Sequence, residues 1–374
     1  MLFFILSFVI CFAAHPKYTV NTNSTIDDVL SYFETIAEGS NMCRDIDVFG
    51  EYTYTFEMKT GVIKYLFEDL KITENIAPEG NYNRPGDIYP KKYVCVHDTG
   101  DVSISAKRWS EIVYNQGTGS SEYKASFQYV IDNDDCYHNI PDNERARHAG
   151  DDCREYKEIN TGISGSNEFP VITVQEGYYF IDGTNTFISI PSECEGCTTK
   201  DLNDHGVRVV LKDGVYYLGK TWYSPEFDLI SNTGGNANSI GIESCVTDGS
   251  DVYYTWQRLS KLVAKLLDEN DLEIADVQQH HFFSGKHCPM TMREATMWHH
   301  FLDMVEAEYI LRQYKQQGYS FSFKSDNTEF VSDTGRVIKA PSEVKEVSYT
   351  VTVTKDGKSK SKSFKTLIQP KTAI

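Results

Sequence analysis

The chain has 374 residues, with 36 Lys and Arg against 54 Asp and Glu, for a formal net charge of −18. That length allows a sizeable core and more than one compact unit. The acidic balance argues against a nucleic-acid partner, whose phosphates call for clustered cations. Residues 2–14 form one apolar run, too short to span a bilayer comfortably but suited to the core of a signal peptide. Cys11 and Ala13 give a small-x-small pattern, so residues 1–13 are expected to be cleaved. A secreted, extracellular or lumenal protein is the expectation, with no membrane attachment afterwards, because no later segment is long and apolar enough for a spanning helix. Asn23-Ser24-Thr25 is a glycosylation sequon. Of nine cysteines, Cys11 leaves with the leader; Cys136 with Cys153, and Cys194 with Cys197, are plausible disulfides in an oxidising compartment.

Residues 14–84 read as an N-terminal extension, with Thr25 capping a helix over 26–36. A turn-rich stretch at 78–86 leads into Tyr93-Val94-Cys95-Val96-His97, a short apolar run that reads as a buried strand ending in a polar group. A helix over 105–115 and a strand over 125–132 follow. Residues 155–232 hold short strands with Asp182-Gly183 and Asp213-Gly214 turns, a β-rich insertion. Ser239 to Glu243 is a short apolar run ending in a carboxylate, and helices are expected over 255–267 and 294–314. Beyond 318 the chain changes character: Ser348 to Thr354 alternates at period two, and Asp356-Gly357 supplies a hairpin turn, which predicts a small C-terminal β module over 318–374. Strands alternate with helices across 85–317, so the expected class is α/β, a central mixed sheet flanked by helices. No feature specifies an oligomeric state.

The chemistry concentrates in Gln279-His280-His281-Phe282-Phe283-Ser284-Gly285-Lys286-His287-Cys288-Pro289. An imidazole and a thiol flanking one tight turn can share a Zn²⁺, and a third ligand from elsewhere leaves the fourth position open for water. On its own the run reads equally well as a surface loop with scattered histidines and a buried thiol. His97, at the end of its strand, is the best third ligand. Glu243 also ends a buried strand, where a carboxylate is costly unless it is paired or faces a site.

Five blocks in order resemble the zinc-dependent N-acetylmuramoyl-L-alanine amidases of the type-2 class, a family that includes phage endolysins and is related to peptidoglycan-recognition proteins. They are Val94 to Thr99, residues 125–132, Asn139-Ile140-Pro141-Asp142 running on to Arg147-His148-Ala149-Gly150, Asn236 to Glu243, and the His280 to Pro289 block. The resemblance covers about 85–310. It implies His97, His280 and Cys288 as ligands of a Zn²⁺ cofactor, Glu243 as general base and acid, and Lys286 as the cation that steadies an oxyanion. It also implies His148, Phe127 and Asn238 as substrate contacts. Phe127 stands where some members carry a tyrosine, Gln128 where many carry His, and His287 where Asn or Tyr is frequent. The implied activity is hydrolysis of the amide between N-acetylmuramic acid and L-alanine in bacterial peptidoglycan, with muropeptides as partners. The alternative is a peptidoglycan-recognition module that binds without catalysis; non-catalytic relatives typically lose the cysteine that this chain keeps. An unrelated zinc peptidase finds no HExxH helix.

Overall fold

The computed structural model describes residues 20–49, 53–115, 125–149, 158–190, 207–220, 234–284 and 286–372. The expected leader, and Cys153, Cys194 and Cys197, lie outside them. The central sheet has six strands in the order β14-β4-β13-β5-β6-β3. These are β3 (Thr73–Glu74), β4 (Tyr93–Asp98), β5 (Tyr129–Ile131), β6 (Cys136–His138), β13 (Ser239–Ser244) and β14 (Val277–Gln279). β13 runs parallel to both β4 and β5, and β14 parallel to β4, while β5 and β6 are antiparallel. The sheet is mixed, as expected.

Strand alternation gives this sheet two different faces. Val94, Val96, Ile240 and Ile242 enter the main core, where they meet Trp256, Leu259 and Val263 of α4 (Val252–Glu269) and Phe301, Met304 and Val305 of α7 (Trp298–Gln316). The other face of β4 and β13 therefore carries Cys95, His97, Gly241 and Glu243. Their parallel register sets Glu243 beside His97.

Two expected elements are altered. The strand over 125–132 shortens to β5, because Ser126 instead exchanges backbone hydrogen bonds with Arg147 at 3.0 Å, on the loop that carries His148. The helix over 294–314 starts later, as α7, after a separate short helix α6 (Met290–Glu294). Thr296 takes φ +55° at the break, and the Ala295 carbonyl accepts from Arg44 Nη2 at 2.7 Å. A left-handed Thr cannot continue a helix.

A second sheet has the order β15-β16-β17-β1-β2. Here β1 (Ser40–Phe49) and β2 (Thr53–Lys59) come from the N-terminal extension, and β15 (Ser320–Ser325), β16 (Lys345–Lys355) and β17 (Lys358–Thr372) from the tail. β1 pairs parallel with β17. The expected hairpin turn is present, with Asp356 and Gly357 both at positive φ, as a two-residue primed turn requires. Val29 and Phe33 of α1 (Ile26–Thr35) and Ala307, Ile310 and Leu311 of α7 cover this sheet. Thr25 caps α1 through a reciprocal box with Asp28.

Residues 158–190 and 207–220 supply β7 to β12, arranged in two three-stranded sheets around a small core of Tyr179, Ile181, Tyr216 and Leu218. The Asp182-Gly183 and Asp213-Gly214 turns close two of its hairpins. Cys43, Cys95, Cys136, Cys245 and Cys288 are buried, and Cys136 is a free thiol, not held in the expected disulfide. It packs in the main core, and burial pushes its thiol up to about 12. Among the described residues no helix is long and apolar enough to cross a membrane.

Candidate metal centre

Three short segments deliver three donors to one point. His97 sits at the end of β4, His280 opens α5 (His280–Ser284) directly after β14, and Cys288 lies on the loop beyond. His97 Nδ1 is 3.1 Å from His280 Nδ1 and 3.6 Å from Cys288 Sγ. All three side chains are buried, and their donor atoms lie within 4.8 Å of one another. A tetrahedral zinc with the usual bond lengths separates two nitrogens by roughly 3.3 Å, and a nitrogen from a sulfur by roughly 3.6 Å. The observed spacings match those edges, so the donor set fits a zinc ion.

The electrostatics agree with that donor set. Burial drives the His97 imidazole well below the ordinary histidine range, and His280, His148 and Lys286 push the same way, so the ring is neutral. Burial raises the Cys288 thiol well above its usual value, with Asp98 and Glu243 adding to this and Lys286 opposing it. A thiolate there needs a cation beside it. Glu243 Oε1 lies 4.0 Å from His97 Nδ1. Its Oε2 is buried without a hydrogen-bond partner among the described residues. Burial, then Asp98, push the Glu243 carboxyl up to about 8, against the pull of Lys286. The Lys286 charge thus acts on His97, Glu243 and Cys288 alike.

The remaining expected residues lie elsewhere. His148 is placed behind His97, with its Nδ1 3.0 Å from His97 Nε2 and its ring over Gly241. Phe127 is 3% exposed and packs edge-on against Trp109. Asn238 is buried, with its side chain donating to the Gly234 carbonyl. All three are buried side chains here. Gln128 stitches the sheet, accepting from Gly241 N at 2.7 Å and donating to the Glu144 carbonyl at 2.8 Å.

Two residues at the site were not singled out from sequence. Cys95 Sγ lies 3.1 Å from His97 Nε2. The signal was available, since Cys95 precedes His97 by two positions and shares its strand face. Asp98 accepts from Thr291 N at 2.6 Å, a long-range contact that no local pattern reveals.

Fold and site together define an α/β protein with a two-histidine, one-cysteine candidate metal centre. The family model "N-acetylmuramoyl-L-alanine amidase" matches residues 87–291, and the chain belongs to that family. It is 20% identical over 220 residues to N-acetylmuramoyl-L-alanine amidase XlyA of Bacillus subtilis (strain 168), covering 59% of this chain and 46% of that one. It is 22% identical over 240 residues to CwlH of the same organism, covering 64% and 62%. The chain thus spans about half to three fifths of these curated relatives. Among solved structures, a mutant endolysin from Bacillus subtilis is similar at 20% identity and a TM-score of 0.39, over 63% of this chain and 99% of that one.

Proposed function

We propose that this chain is a secreted zinc amidase that cleaves the amide between N-acetylmuramic acid and L-alanine in bacterial peptidoglycan. The observation that carries the reading is the meeting of His97, His280 and Cys288 beside a buried carboxylate with one unpartnered oxygen. Zinc, when bound, would acidify water and polarise the scissile carbonyl. Glu243 would take the proton from the attacking water and pass it to the leaving amine, and its raised pKa suits a group that must both accept and donate near neutrality. Lys286 would supply a positive charge for the oxyanion. His97 stays neutral and keeps a lone pair for the metal. Retention of Cys288 and Glu243 favours hydrolysis over recognition alone.

The test is release of free L-alanine amino groups from purified muropeptides, with and without chelator. Chelator-sensitive release is expected. Binding to peptidoglycan with no new amine would overturn the reading in favour of a recognition module. Cys288→Ser should weaken zinc binding by about two orders of magnitude or more and abolish turnover. Secretion is supported by the apolar run at 2–14, and recovery of the protein from medium with a new N-terminus near residue 14 checks it.

A further inference from the structure

The sequence neighbour of each of the three donors is tied to one short helix. Asp98, next to His97, accepts from Thr291 N of α6 at 2.6 Å. Gln279, next to His280, accepts from Arg293 Nη1 at 2.5 Å. His287, next to Cys288, accepts through Nδ1 from Arg293 Nε at 3.0 Å and donates from Nε2 to Glu294 Oε1 at 2.8 Å. Two of these three ties are made by a single guanidinium, which is 4% exposed.

That guanidinium spans the turn on which His280 and Cys288 sit. A rigid planar fork holds two acceptors at fixed separation and direction, which a flexible ammonium does not. Within the turn, His281 N donates to the Cys288 carbonyl at 3.2 Å and Cys288 N to the Lys286 carbonyl at 2.7 Å, ties that fix backbone spacing but not the orientation of the side chains. The outer face of Arg293 is covered by the insertion. The Phe169 ring centroid lies 4.8 Å from the guanidinium carbon, and neighbouring Glu168 pairs with His299 of α7. A buried cation whose hydrogen-bonded acceptors are neutral gains from an aromatic face that excludes water.

We propose that Arg293 is a positioning residue for the metal triad and that Phe169 holds it in place, so that the insertion sets the geometry of the centre. The proposal rests on the metal-centre reading above. Groups outside the ligand shell that orient ligands typically contribute roughly 10- to 100-fold to metal affinity. Arg293→Gln leaves His287 and Gln279 without their shared donor. Arg293→Lys keeps the charge but cannot serve both acceptors. Phe169→Ala leaves the polar ties and removes only the cover.

The experiment is zinc affinity by chelator competition, together with the Co²⁺ absorption spectrum, on the full chain and these variants, with thermal unfolding of the metal-free forms alongside. Expected affinity losses are roughly 10- to 100-fold for Arg293→Gln, less for Arg293→Lys and several-fold for Phe169→Ala, with altered tetrahedral Co²⁺ bands. A purely structural role would lower the unfolding temperature and leave affinity and spectrum unchanged, and that result overturns the proposal. If Arg293→Gln fails to fold, Phe169→Ala decides alone, and wild-type affinity in that variant counts against the proposal. A parent chain that takes up no zinc would instead sink the metal-centre reading itself.

Discussion

Glu243 shows how much one residue's place in a strand decides. It follows Ile240, Gly241 and Ile242, all buried, and its side chain is only 15% exposed. A carboxylate in such a position is expensive unless it works. Glu243→Gln keeps the shape and removes the proton exchange, so turnover should fall by about 10²- to 10⁴-fold. Zinc affinity should stay within a few-fold, since the donors are untouched. Amine release and chelator competition on the same sample check both; equal loss of metal and activity would assign Glu243 to binding instead. At this scale the sequence was readable where side chains that meet sit on one short, local run, as with His280 and Cys288. It was less readable for His148, whose partner His97 lies 51 positions away and whose burial depends on Gly241 of a third segment.

The central strands impose tight spacing on the groups between them. A Cβ on Gly241 would lie 2.5 Å from His148 Cδ2, with two further ring atoms inside 2.8 Å. Gly241→Ala should therefore cost about 1–3 kcal/mol, and it should weaken zinc binding by displacing the ring that backs His97. Denaturant unfolding and zinc titration measure the two effects. At the opposite edge, β3 pairs parallel with β6. There His138 stacks on Tyr129 at 4.4 Å, its Nδ1 2.9 Å from Glu74 and its Nε2 3.3 Å from Asp142. Burial works against the imidazolium, but Asp142 and Glu74 outweigh it, and the net shift is upward. The stabilisation is therefore complete below the ordinary histidine pKa and is lost as pH rises through the higher folded value. Wild type should exceed His138→Gln by about 1 kcal/mol at acidic pH, and the gap should shrink in alkaline buffer. Urea unfolding of both proteins across that range checks the sign. The two expected elements whose bounds changed, the strand over 125–132 and the helix over 294–314, share one feature: at the altered end a contact distant in sequence, Arg147 in one case and Arg44 in the other, competes with the local pattern.

Across the whole molecule, the N-terminal extension and the tail form one sheet and are not separate appendages. Asn41 of β1 donates to the Gly61 carbonyl and accepts from Thr366 of β17, a buried polar pin between them. α7 presents Phe301, Met304 and Val305 to one core and Ala307, Ile310 and Leu311 to the other. Removing residues from 319 onward would take three of five strands from the second sheet and bare the side of α7 that they cover. Such a truncation should be insoluble or unfold at a much lower temperature, not yield a free-standing central unit. A soluble truncation with the parent's unfolding temperature would refute this account of the fold.

The sequence by itself determined the alternation of strands and helices, the hairpin at Asp356-Gly357, the cap at Thr25, and the placing of an imidazole and a thiol, His280 and Cys288, on one short run. Each rests on periodicity, turn chemistry or spacing within a few residues, and such preferences act before the chain has a global shape. Only the tertiary structure decided that His97 and Glu243 share one face in register, that His148 lies behind the site, that α6 gathers the neighbours of all three donors, and that the two ends of the chain close one sheet. Those outcomes follow from strand pairing and the burial of side chains far apart in sequence, where the partner is chosen by the packing of the whole chain and leaves no local mark.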